Sequence, residues 1–94
     1  MLLALDFDET YTRDPLFWDK VIELATQRGH SVICATMRHD IPYEADQVRA
    51  ALQGKVEAII FTGRKAKHPA VYAEGYMPSV WIDDQPNWIH NDAQ

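Results

Sequence analysis

Leu2-Leu3-Ala4-Leu5-Asp6-Phe7-Asp8-Glu9-Thr10 decides the fold. Its first six residues form a near-continuous apolar run that ends in carboxylates. That is the pattern of a strand buried on both faces of a parallel sheet, with polar residues at its carboxyl end. The chain then alternates. Asp14 suits a helix cap and Pro15 the first helical position, and Leu16, Phe17, Val21, Leu24 and Ala25 follow at helical spacing up to Gly29. Ser31 to Thr36 reads as a second buried strand. Asp40 is expected to cap the next helix, with Pro42 in its first turn; Ala45, Val48, Ala51 and Leu52 form its inner face and Gly54 closes it. Val56 to Phe61 is a third strand. A polar stretch from Thr62 to His68 leads to a short helix from Pro69 to Gly75, and Ser79 to Ile82 is a fourth strand running into Asp83-Asp84. The tail from Gln85 holds one helical turn at most. Strands alternating with helices imply right-handed crossovers and one doubly wound, three-layer α/β domain of about four parallel strands, Rossmann-like in class.

Composition agrees with a single globular domain. The chain has 94 residues, 47% hydrophobic and 24% charged, which excludes a disordered tail, a collagen-like repeat and a coiled coil. Nine Lys and Arg against fourteen Asp and Glu give a net charge of −5, which argues against nonspecific binding to nucleic acid or to an anionic membrane. One cysteine, Cys34, removes any internal disulfide and any multi-thiolate zinc site, and its apolar neighbours make it a packed core residue. The apolar start has no basic segment before it, and no stretch approaches the ~20 apolar residues of a membrane helix. A cytoplasmic location is the expectation.

In such sheets ligands bind at the carboxyl ends of the strands. The polar residues past each strand should therefore converge: Asp6, Asp8, Glu9 and Thr10; Thr36, Arg38 and His39; Thr62, Arg64, Lys65 and Lys67; Asp83 and Asp84. Carboxylates from two strand ends, with hydroxyls and cations between them, suit a divalent cation together with a phosphate. Magnesium takes hard oxygen ligands, and a phosphoryl group needs its oxygens neutralised.

In order along the chain, these residues resemble the motifs of the haloacid dehalogenase (HAD) superfamily. Asp6-Phe7-Asp8-Glu9-Thr10 is similar to its DxDx[T/V] signature, Thr36 to its second motif and Lys67, shortly before Pro69, to its third-motif lysine. Trp81-Ile82-Asp83-Asp84-Gln85-Pro86 resembles the acidic fourth motif. The resemblance implies a Mg²⁺-dependent phosphomonoester phosphatase. Asp6 would be the nucleophile that forms an aspartyl-phosphate, and Asp8 the general acid and base. Asp6, the Asp8 backbone carbonyl, Asp84 directly and Asp83 through water would hold Mg²⁺. Thr36 and Lys67 would hold the phosphoryl oxygens, with Lys65 the reserve for the lysine. Thr10, Arg38 and Lys65 are further phosphate-binding candidates, Arg38 alternatively pairing with Asp40.

Glu9 stands where the family often has Gly. Short segments, Thr10 to Asp14 and Thr62 to His68, occupy the two places where the family inserts cap domains, so a capless core with an open mouth is expected. The substrate would be a phosphorylated small molecule, a polynucleotide end or a phosphoprotein, or a second subunit would supply the lid as a homodimer. Trp88, in the tail, would cover a sheet edge or make that dimer contact. A non-catalytic binding module of the same fold, and phosphotransfer to an acceptor other than water, are the competing functions.

Overall fold

A computed structural model describes residues Met1 to Gln94 and resolves the apolar runs into four strands and four helices. In chain order these are β1 (Leu2–Leu5), α1 (Pro15–Gln27), β2 (Ser31–Thr36), α2 (Pro42–Leu52), β3 (Ala58–Phe61), α3 (Lys67–Ala73), β4 (Val80–Ile82) and α4 (Asn87–His90); a single 3₁₀ turn, Tyr11–Arg13, precedes α1. The sheet has the order β3-β2-β1-β4 and every pair is parallel.

Alternation along the strands builds two cores. Leu3, Leu5 and Phe7 point to one face with Val32 and Cys34, where Ile22 and Ala25 of α1 and Val48 and Leu52 of α2 cover them. Leu2 and Ala4 point to the other face with Ile33, Ala35 and Ile60, where Val71 of α3 packs. Two helices on one face and α3, with α4 against it, on the other make the expected three layers. Cys34 is fully buried within the first core. No helix is long and apolar enough to cross a membrane.

Several boundaries differ from expectation, each for a local reason. β1 stops at Leu5, because only one further ladder bond forms, from the Asp6 N–H to the Ile82 carbonyl at 2.9 Å; the Phe7 carbonyl then turns to accept from Thr10 and Thr12. β3 begins at Ala58 because the Val56 N–H is still spent on the Leu52 carbonyl at the end of α2. α3 begins two residues earlier than Pro69, which is tolerated because the N–H that proline lacks is an orphan in the first turn. Asp14 does cap α1, accepting from the Phe17 N–H at 3.3 Å. Asp40 does not cap α2: the cap position is Ile41, and the Asp40 carboxylate instead takes both ends of the Arg49 guanidinium at 2.8 and 3.0 Å.

The order 3-2-1-4 has one functional consequence. β1 leads to a helix on one face, whereas β4 leads to α4 on the other. The ends of β1 and β4 therefore flank the crevice that a doubly wound sheet leaves at its switch point.

Candidate active site

Asp6 occupies the centre of that crevice. Its side chain, 8% exposed, accepts from Lys67 Nζ on Oδ1 at 2.7 Å and from the Thr10 hydroxyl on Oδ2 at 3.0 Å. Lys67 sits in the first turn of α3, and its ammonium, 1% exposed, also reaches Asp83 Oδ2 at 2.5 Å. The other oxygen of Asp83 accepts from the Gln85 N–H at 2.9 Å, so both of its oxygens are committed. Asp84 is exposed and accepts one side-chain hydrogen bond, from the Thr10 hydroxyl at 3.3 Å. A hydroxyl has a single proton, and the shorter contact is to Asp6, which leaves Asp84 free to take another partner.

Carboxylate oxygens of Asp6, Asp83 and Asp84 lie within 4.8 Å of one another. Three carboxylates against one ammonium leave two uncompensated negative charges in a part-buried space. Asp6 shows the result. Burial pushes its carboxyl up to about 7, the neighbouring Asp84 adds to the rise, and Lys67 only partly offsets them. A proton is one remedy for such repulsion and a cation another. The donors are all hard carboxylate oxygens with no histidine or thiolate among them, which fits magnesium rather than zinc or copper.

Asp8 does not belong to this group. Half-exposed, it faces Arg38, which donates Nε to Oδ2 at 2.9 Å and Nη2 to Oδ1 at 2.7 Å, a bidentate fork. Arg38 is itself fixed, by a bond from Nη1 to the Glu44 carbonyl at 2.8 Å and by lying 5.1 Å over the Phe7 ring. Asp40, the alternative partner for Arg38, is bound to Arg49 instead. Asp6, Asp8, Arg38 and Asp84 line one open cleft of about 740 Å³.

Thr10, Lys67 and Asp83 lie behind the cleft lining but bond within the Asp6 cluster, whereas Thr36 and Lys65 make no bond to it. Thr36 ends β2 as expected but is fully buried, its hydroxyl accepting from the Arg38 N–H at 3.3 Å. Lys65 is turned outward: three-quarters exposed, it points to Asp92 at 3.8 Å and borders a separate shallow hollow with Thr62 and Ala66. Between the two lysines, only Lys67 reaches Asp6. Conversely, Tyr43, Gln47 and Gln85 line the cleft without having been expected there, and Arg64 and Trp88 join them. Tyr43 carries no chemical pattern in the sequence; only the packing of α2 beside the β2 end brings it to the rim.

The loops that shape the mouth use left-handed backbone. Glu9 has φ of 63°, the conformation that makes glycine the easy choice there, and its N–H donates to the Thr12 hydroxyl at 3.0 Å. Gly63 has φ of 59°, and a Cβ there would lie 3.0 Å from the His39 ring. The chain matches no family model, no curated protein and no solved structure.

Proposed function

We propose that the chain is a Mg²⁺-dependent phosphomonoester phosphohydrolase with a HAD-like core and no cap inserted at either loop. One observation carries the reading: a buried lysine from the start of α3 joins the carboxylate ending β1 to the first of the two carboxylates after β4. A buried ion pair costs desolvation that its attraction offsets only with good geometry and further hydrogen bonds, so it is weak evidence for a purely stabilising role. Here it holds Asp6 in one orientation and lowers the repulsion around it.

Asp6, Asp84 and, through water, Asp83 would hold the cation together with the Asp8 backbone carbonyl. Bound there, Mg²⁺ supplies Lewis-acid neutralisation of the phosphoryl oxygens. An Asp6 carboxylate oxygen forms a bond to phosphorus as the bond from phosphorus to the ester oxygen breaks. Asp8, having left Arg38 and taken up a proton from solvent, donates that proton to the departing oxygen. Asp8 then takes a proton from water, whose oxygen attacks phosphorus and breaks the bond to Asp6, giving inorganic phosphate and the original carboxylate. Lys67 stays protonated and keeps the Asp6 side chain aimed throughout.

Turnover of an aryl phosphate with and without Mg²⁺ tests this reading. Phosphate release is expected only with the metal, and only when Asp6 is intact. No release from a broad phosphomonoester panel by metal-loaded protein, or full activity in Asp6→Asn, overturns it. The fork between Asp8 and Arg38 favours a second reading, in which the fold and its charge cluster bind a phosphate without turning it over. An acyl-phosphate analogue such as beryllofluoride that adds to Asp6 separates the two. If phosphate passes to an added alcohol in preference to water, the activity is phosphotransfer.

A further inference from the structure

Arg64 is the one cleft-lining cation that forms no ion pair, although after the His39 N–H its charge also helps to lower the Glu44 carboxyl. Arg38 is consumed by Asp8, whereas Arg64 takes part in none of the ion pairs of the molecule. Glu44, another lining residue, is occupied by the His39 N–H at 2.8 Å. The backbone of Arg64 is strained to hold this place. Its φ is 73°, and it is pinned from both sides: its N–H donates to the Met37 carbonyl at 2.9 Å and its carbonyl accepts from the Ala93 N–H at 2.8 Å. A non-glycine residue in left-handed backbone costs about 1 kcal/mol, and such strain concentrates where a side chain has a task.

Two aromatic rings border the same cleft from opposite faces of the sheet. Tyr43, near the start of α2, is 93% exposed, and Trp88 of α4 is half-buried. Met37 is the only aliphatic side chain in the lining, which disfavours a lipid or alkyl phosphate. The cleft thus offers a carboxylate cluster at Asp6 where a bound cation would face a phosphate, an anion receptor at Arg64 and flat aromatic surfaces at the rim.

We propose that the cleft takes the phosphorylated end of a single-stranded polynucleotide: the terminal phosphate at Asp6, the adjoining phosphodiester at Arg64, and a base stacked on Trp88 or Tyr43. This names a substrate class for the phosphatase reading and rests on it for turnover, though not for binding. The net charge of −5 confines the attraction to the few phosphates nearest the rim. Base stacking on an aromatic side chain adds sequence-tolerant affinity.

The experiment is a titration of the chain with Ca²⁺ in place of Mg²⁺, a cation that occupies the carboxylate cluster without the strict octahedral geometry the reaction would use, followed by tryptophan fluorescence. The probes are a short oligothymidylate phosphorylated at the 5′ end, the same at the 3′ end, the unphosphorylated oligomer, inorganic phosphate and a phosphotyrosine peptide. One phosphorylated oligomer is expected to quench fluorescence and to bind at least about tenfold tighter than phosphate or the unphosphorylated oligomer. Trp88→Phe should remove most of the quench, separating it from Trp18 and Trp81. Arg64→Gln should weaken binding about tenfold, the size of a charged hydrogen bond, and reduce the salt slope by roughly 0.7.

Arg64→Gly supplies the control for backbone strain, since it keeps the left-handed conformation: it should bind as poorly as Arg64→Gln while melting no lower than the parent chain. Equal binding of both phosphorylated oligomers by the parent and by Arg64→Gln overturns the proposal. So does tighter binding of the phosphotyrosine peptide, or no binding of either oligomer. If an oligomer binds but no ester is hydrolysed, the phosphatase reading fails and this one stands. If aryl phosphate is hydrolysed while the oligomers neither bind nor turn over, only this one fails.

Discussion

Lys67 Nζ lies 2.7 Å from Asp6 Oδ1 across 61 positions of sequence, and the pair is sealed from solvent. Truncating Lys67 leaves Asp6 and Asp83 buried together without their cation. Lys67→Met is expected to destabilise the metal-free protein by about 3 kcal/mol, the scale for breaking a buried pair. Denaturant unfolding with and without Mg²⁺ checks this, and added Mg²⁺ should recover part of the loss.

The raised Asp6 carboxyl makes stability depend on pH with a definite sign. Its folded value of about 7 lies above the ordinary 3.8, so between those limits the folded chain binds the extra proton. Its contribution is fully present below pH 3.8 and disappears as pH rises through about 7. The metal-free chain should therefore gain stability relative to Asp6→Asn as pH falls from 8 towards 4. Stabilisation by Mg²⁺ should run the other way and weaken below pH 7, because the cation needs the ionised carboxylate. Thermal melts of both chains across that range, with and without metal, measure both slopes.

The two neighbouring acids after β4 should respond differently to the same change. Asp83 has both oxygens committed, to Lys67 and to the Gln85 N–H, so Asp83→Asn should cost about 2 kcal/mol of stability. Asp84 is exposed and spends little on the fold, so Asp84→Asn should leave the melting temperature nearly unchanged while weakening Mg²⁺ binding at least about tenfold. Calorimetric titration with Mg²⁺ beside a thermal melt distinguishes the two roles.

Glu9 sits at φ of 63°, and its contact with Arg13 at 3.2 Å is between two exposed side chains. Such a pair is worth little, whereas left-handed backbone costs a non-glycine residue about 1 kcal/mol. Glu9→Gly should raise stability by about 0.5 kcal/mol once the greater chain entropy of glycine is subtracted. A melting temperature that falls would show that the Glu9 side chain contributes more than its exposure suggests.

The fold was legible because it is written as local pattern. The run through Leu5 and the polar break at Asp6 identify a buried strand without reference to any other residue. Asp14 before Pro15 marks a helix start in the same way. The site was legible in part: strand ends in a parallel sheet converge by topology, so Asp6, Asp83 and Asp84 could be grouped from order alone. Between Lys65 and Lys67 no such rule decides. The choice depends on which face of the first turn of α3 meets Asp6, and only packing sets that. The fork between Arg38 and Asp8 was hidden for a similar reason, since Asp40 is nearer in sequence but is drawn off by Arg49 one helical face away. Asp40 missed its capping role by the same competition.

Along β1, odd positions fill one core and even positions the other, and Asp6 continues the even set towards α3 just as Phe7 continues the odd set. Inheritance of this chain is constrained accordingly. A single codon gained or lost between Leu2 and Phe7 would exchange the two sets, putting a phenyl ring where the lysine waits and a carboxylate into the apolar core. No such shift moves Asp6 without also moving the core side chains beside it. Length can change with less consequence in the connections between elements, among them the segments that rim the cleft. Changes of length in those segments would reshape the rim of the cleft and leave Asp6 beside Lys67.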